Sequence, residues 1–120
     1  MAPSPEFIDY LKDQLEDFGP FDVRSMFGGA GLFRDGLMFA LIANETLYLK
    51  VDDRNRPDFE AAGTSPFTYA RGDREGSLKS YYEAPADILE DPADLADWAR
   101  KAFDAALAGA KAKRRGGGKA

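Results

Sequence analysis

Cysteine and histidine are both absent from the 120-residue chain. Without them there is no disulfide framework, no Ser-His-Asp or Cys-His constellation, and no thiolate or imidazole zinc site. Catalysis would fall to carboxylates, Lys, Tyr, Ser or Thr, or to an oxygen-ligated metal. Long hydrophobic runs are missing too. The longest, Leu37 to Ala43, is far short of the ~20 apolar residues of a membrane span. The opening MAPSPEF has no cationic segment followed by an apolar one, so no secretory signal is expected. The expectation is a soluble, cytoplasmic protein with no membrane contact.

The charge is unevenly spread. Lys111, Lys113, Arg114, Arg115 and Lys119 make the last ten residues wholly basic, while residues 1–110 carry 11 basic and 21 acidic side chains. An acidic body with a basic tail argues against a broad DNA-binding face on the body. The tail itself can attract nucleic acid by charge.

The length suits one domain. Ser4, Pro5 and Glu6 signal a helix start, and Phe7, Ile8, Leu11, Leu15 and Phe18 form an apolar stripe that Gly19-Pro20 ends. Strands are expected over residues 21–27, 31–34, 37–43 and 46–52, with Asp35-Gly36 and Asn44-Glu45 as turns. The nearly continuous apolar run 37–43 is the pattern of a strand covered on both faces. A short helix is expected over 53–62, two further strands over 66–71 and 78–83 around a polar loop at 72–76, and a helical turn at 86–89. A last helix starts from cap Asp91 and Pro92. Its buried stripe is Leu95, Trp98, Ala99, Ala102 and Ala106. The fold class is α+β. A mostly antiparallel sheet of about five to six strands is flanked by an N-terminal helix, a short middle helix and a long C-terminal helix. The domain spans 1–109, and 110–120 reads as a flexible basic tail.

The segment from Arg24 to Gly31 is the most distinctive. Gly28, Gly29 and Gly31 let the backbone turn or approach a neighbour closely, and a bulge or tight corner is the first reading. A nucleotide or other small ligand at the Gly28–Gly31 corner is the alternative, although the spacing matches neither phosphate-binding fingerprint. Arg24 can grip an anion or a partner's carboxylate, or pair with one of the body's acids. Asp52, Asp53, Asp58 and Glu60 could offer oxygen ligands to Mg²⁺, but helix capping accounts for them better. Phe67, Tyr69, Tyr81 and Tyr82, with Arg71, Arg74 and Lys79, raise a base-stacking platform. Tyr81 and Tyr82 are adjacent, so in a strand they face opposite ways, one buried and one exposed.

As a set, the segments Val23-Arg24-Ser25-Met26-Phe27-Gly28-Gly29-Ala30-Gly31-Leu32-Phe33, Leu47-Tyr48-Leu49-Lys50-Val51-Asp52, Pro66-Phe67-Thr68-Tyr69 and Ser80-Tyr81-Tyr82-Glu83-Ala84-Pro85 resemble the TfoX/Sxy N-terminal domain family. The resemblance covers roughly residues 6–108. It implies an α+β fold and kinship with regulators of bacterial competence genes. Those regulators act with the cyclic-AMP receptor protein at promoters, as coactivators rather than enzymes. In fuller members a helical second domain follows this one. The resemblance transfers no catalytic residue and no cofactor. Arg24, Met26, Phe27, Gly28, Gly29, Gly31, Lys50, Tyr69 and Tyr82 carry the motif and are the candidate interaction residues.

The function expected is therefore a non-catalytic regulatory domain acting through protein contacts, with transcription machinery or a cyclic-AMP receptor protein homologue as partner. No cofactor and no metal are expected. The alternative is a nucleic-acid accessory protein that binds DNA through Lys111, Lys113, Arg114, Arg115 and Lys119. A homodimer is a further option, by way of an exposed strand edge.

Overall fold

The computed structural model describes residues 4–26, 29–71 and 74–117, with 69–71, 74–79 and 113–117 described by backbone alone. Among these residues six strands form one antiparallel sheet: β1 (Asp22–Met26), β2 (Gly29–Arg34), β3 (Leu37–Ala43), β4 (Thr46–Lys50), β5 (Pro66–Arg71) and β6 (Arg74–Glu83). Their spatial order is β1-β2-β3-β4-β6-β5. Four helices accompany them: α1 (Pro5–Gln14), α2 (Arg56–Ala62), α3 (Ala86–Leu89) and α4 (Pro92–Gly117). The α+β expectation holds.

Local chemistry sets the element ends. The Phe7 amide donates to Ser4 Oγ at 3.2 Å and caps α1. Ser4 is itself clasped, donating from its amide and hydroxyl to the Glu45 carboxylate at 2.7 and 2.8 Å. Asp91 Oδ1 accepts from the Ala93 and Asp94 amides and caps α4. Asp35-Gly36 and Asn44-Glu45 all have positive φ, between 52° and 79°, as two-residue hairpins require. Gly63 closes α2 in the left-handed region at φ 80°.

All the helices pack on one face of the sheet. Leu11 and Leu15 of α1, Phe59 of α2 and Leu95, Ala99 and Ala102 of α4 share one core with Ala30, Leu32, Ala40, Ile42, Leu47 and Leu49. Trp98 meets the Phe59 ring edge-on, with centroids 4.7 Å apart. The β2–β3 register slips after Leu32, because Leu32 opposes Ala40 while Phe33 opposes Met38. This bulge frees Phe39 from the ladder, and its ring packs fully buried against Phe18 and Phe21.

Several boundaries differ from expectation. The α1 helix stops at Gln14, and Phe18 reaches the core from the turns that follow. Gly29 to Gly31 belong to β2, not to a corner. The strand β6 begins at Arg74, inside the expected polar loop. The helix α4 runs to Gly117 instead of giving way to a tail near Gly109, since the Ala/Lys/Arg stretch that follows Gly109 keeps good helix formers in register.

Candidate functional site

The covered face explains only half of the sheet's apolar residues. Register assigns the rest to the opposite face. One row runs straight across the strands: Arg24 opposes Gly31, Gly31 opposes Leu41, Leu41 opposes Tyr48, and Tyr48 opposes Glu83. A second row holds Asp22, Phe33 and Met38 on β1 to β3, and Lys50 opposite Tyr81 on β4 and β6. Among the described residues no helix lies on this face. Leu41 and Tyr81 are nonetheless buried, and neither belongs to the helix-side core. The continuous apolarity of β3 therefore does not signal two protein layers in this chain. Among the described residues only one side carries helices, and Met38 and Leu41 lie in the middle of the other.

Side-chain geometry gives that surface a flat plate and two cations. A Cβ on Gly31 would lie 2.7 Å from Met38 Sδ, 2.8 Å from Phe33 Cε1 and 3.1 Å from Met26 Cε. The missing side chain lets these three groups lie down over the strand. The Arg24 guanidinium sits 4.8 Å from the Phe33 ring centre. The Lys50 ammonium sits 5.0 Å from the Tyr81 ring centre. Tyr48 meets Phe67 edge-on at 5.0 Å. Such cation–ring contacts leave the charge available on the outer side.

Neither Arg24 nor Lys50 has an ion-pair partner among the described residues. Among the described residues no acid pairs with Arg24, although Asp22 stands two positions along the same face of β1. Burial lowers the Lys50 pKa, partly offset by the nearby Asp52 carboxylate. Burial raises the Tyr48 pKa, and the Glu83 charge beside it adds to the rise. Burial also pushes Tyr81 up to about 12, with its hydroxyl donating to the Met38 carbonyl at 3.3 Å.

Of the residues singled out in the sequence, Arg24, Met26, Gly31 and Lys50 come together here. Gly29 lies in the ladder opposite Met26, and a Cβ on it would overlap the Ile42 carbonyl oxygen. With Gly29 and Gly31 both built into strand pairing, the described part of this segment lacks the free backbone amides of an anion cradle. Tyr82 is on the other face, against Phe59 at 5.8 Å. Tyr81 and Tyr82 thus point opposite ways as expected, but neither stands exposed: one is buried and the other half-buried. Phe27, Gly28 and Lys119 lie outside the described residues. Tyr69, Lys113, Arg114 and Arg115 are placed by backbone alone, and Lys111 is exposed on α4. The residues that sequence reading missed are Phe33, Met38, Leu41, Tyr48 and Glu83. Alternation in β4 assigned Tyr48 to one side, but strand order was needed to say which side the helices take.

The acidic group at 52–60 is dispersed into pairs. Asp52 holds Arg54 at 2.7 Å, Asp53 holds Arg56, and Asp58 faces Lys101 at 3.5 Å. Among the described residues no group of three acids could hold a metal ion. A shallow cleft of about 220 Å³ lies beside Asp52, Arg54, Asn55, Lys101 and Asp104. Asn55, which sequence reading also missed, is buried there. Its Oδ1 accepts from the Asp52 amide at 2.8 Å and its Nδ2 donates to the Lys50 carbonyl at 3.0 Å. Among the described residues no helix is long and apolar enough to cross a membrane.

Comparison with known proteins agrees with this architecture. The chain is 28% identical over 101 residues to the DNA transformation protein TfoX1 of Aliivibrio fischeri, an alignment covering 81% of this chain and 48% of that protein. The chain thus spans about half the length of this curated relative. The model of the TfoX N-terminal domain matches residues 13–106, from the end of α1 through the buried part of α4. That match covers most of the sequence, and the chain belongs to the TfoX N-terminal domain family.

Proposed function

We propose that this chain is a non-catalytic regulatory domain of the competence type, acting by protein–protein contact on the uncovered sheet face. Family membership and the name of the relative support the competence setting. The face without helices carries the reading: a contiguous apolar plate of Met26, Phe33, Met38, Leu41 and Tyr48, bearing Arg24 and Lys50, cations without an ion-pair partner among the described residues. Partly exposed apolar surface of this kind, edged by charge, is what association sites present. Of the residues that raised a base-stacking platform, Tyr81 is buried and Tyr82 lies on the helix side against Phe59, while the side chains of Tyr69, Arg71, Arg74 and Lys79 lie outside those described.

The test is a competence-promoter reporter in a bacterium deprived of its own TfoX-type regulator, complemented with this chain. Binding to that host's cyclic-AMP receptor protein is measured in parallel by titration calorimetry. Wild type should raise the reporter, and Lys50→Glu should abolish the rise while melting normally. A reporter indifferent to both would refute the reading.

A second reading is favoured by the helical backbone that continues to Gly117. It puts positions 111, 114 and 115, all basic, within about one turn of helix. DNA contact through Lys111, Lys113, Arg114, Arg115 and Lys119 would then weaken steeply with salt, by fluorescence anisotropy, and vanish in a chain ending at residue 109.

A further inference from the structure

We infer that the occupant of the uncovered face is a second copy of this chain, related by a two-fold axis that runs along the strands through Leu41. This rests on the reading of that face as a contact surface and adds the partner's identity.

The order of residues in the two cross-strand rows is complementary to its own reverse. In the first, the sequence across the sheet is Arg24, Gly31, Leu41, Tyr48, Glu83, with both charged ends exposed. The ends are four strand spacings apart, about 19 Å at ~4.8 Å each. A two-fold axis parallel to the strands and centred on β3 turns this row end for end. Arg24 then meets Glu83 of the partner subunit, and Glu83 meets the partner's Arg24. Leu41 meets its own copy on the axis. Tyr48 comes down on the partner's Gly31, where Met26, Phe33 and Met38 already lie flat. Methionine sulfur and thioether methyls are soft partners for an aromatic ring.

The second row obeys the same operation. Asp22 stands at the β1 end, and Lys50 with Tyr81 at the other. Turned end for end, Asp22 falls on the partner's Tyr81, beside the Lys50 ammonium that sits over that ring. Each copy therefore offers two carboxylates to two cations.

The competing arrangement fails on charge. A two-fold axis running across the strands would put Arg24 over the partner's Arg24 and Glu83 over the partner's Glu83. Like charges placed opposite each other cost several kcal/mol across an interface. The body is strongly acidic, so a second copy approaching elsewhere is repelled. Self-complementary patches of this kind are what closed two-fold dimers require. Aligned sheet-on-sheet packing, about 10 Å apart, is a standard way to cover an apolar face.

The test is a charge-reversal mixing experiment on the full chain by equilibrium sedimentation. Wild type should form a reversible dimer. Arg24→Glu alone and Glu83→Arg alone should each self-associate at least tenfold more weakly, because each homodimer juxtaposes like charges twice. An equimolar mixture of the two variants should recover association, because the heterodimer again has two pairs of opposite charge, one native and one reversed. Thermal melts of each variant report whether it folds. If a reversal unfolds the chain, Arg24→Gln and Glu83→Gln replace the pair; each should weaken the dimer, and mixing should recover part of the association, because the heterodimer keeps one Arg24–Glu83 pair. A monomeric wild type at several hundred micromolar, variants that dimerise as well as wild type, or a mixture that fails to recover would each overturn the second-copy assignment. A monomer whose reporter response is still lost in Lys50→Glu would overturn this inference alone. A monomer with no reporter response would overturn both.

Discussion

The guanidinium of Arg34 lies 3.6 Å from the ring centre of Phe18 and donates to the Phe18 carbonyl at 2.6 Å. The same group donates to the Pro20 carbonyl from Nε and Nη2, at 3.2 and 3.1 Å. One side chain at the end of β2 thus closes the turn that follows α1 and covers a core ring.

Arg34→Ala should lower unfolding free energy by about 1–3 kcal/mol, the range for hydrogen bonds from a charged donor. Arg34→Lys should recover little, since an ammonium cannot span both carbonyls and stack. Urea denaturation of the three proteins decides this. Equal stability of the lysine variant and wild type would contradict it.

Asn55 is the buried polar side chain of the domain's described residues, and every polar atom on it is used. Asn55→Ala strands the Asp52 amide and the Lys50 carbonyl, and should cost about 1–3 kcal/mol. Asn55→Asp sets a buried carboxylate oxygen against the Lys50 carbonyl, so it should cost at least as much as the alanine. The thermal midpoints should rank in that order.

Two glycines on one strand should respond differently to the same methyl. A Cβ on Gly29 would overlap backbone, the Ile42 carbonyl oxygen, so Gly29→Ala must part β2 from β3. A Cβ on Gly31 meets only the ends of Met38, Phe33 and Met26, which can move. Gly29→Ala should cost about 3 kcal/mol or more, and Gly31→Ala about 1. Guanidinium denaturation would contradict the assignment if the order were reversed.

These glycines also mark where sequence reading ran out. Composition alone cannot say whether a glycine is there for positive φ or for room. Gly36 and Gly63 have positive φ, and their places past a hairpin residue and past a helix end were legible. Gly29 and Gly31 lack it; they serve close approach, which depends on which strand comes next door. The hairpins and helix caps were readable because Asp35-Gly36, Asn44-Glu45, Ser4 and Asp91 act within a few residues of themselves. The cross-strand line from Arg24 to Glu83 was not, because it exists only once five strands take their order. The extent of α4 was misjudged for the opposite reason: Gly109 is a local stop signal that its helix-forming neighbours outweigh.

Alkali should expose Tyr81. Its folded pKa of about 12 lies above the ordinary 10.0 because burial disfavours the phenolate. The sign follows: the stabilisation is complete below pH 10, and is lost as pH rises toward 12. Ultraviolet titration of the five tyrosines should show a late-ionising component, absent in Tyr81→Phe, with cooperative unfolding in the same window. A single transition near pH 10 with no loss of structure would contradict it.

Four of the five ladders join strands linked by two residues: 27–28, 35–36, 44–45 and 72–73. The fifth, β4 to β6, joins Lys50 to Tyr81 across α2 and an entire hairpin, through three residue pairs. Loop-closure entropy is therefore concentrated at one place in the sheet. The chain comprises two hairpin systems, each assembled from its own neighbours, and a single seam where they become one sheet. Lys50, Tyr81 and Glu83, which give the uncovered face half its charge and its buried phenol, all sit on that seam. The surface is completed only when the last long-range pairing forms, so the folding of the whole domain and the completion of that face are one event.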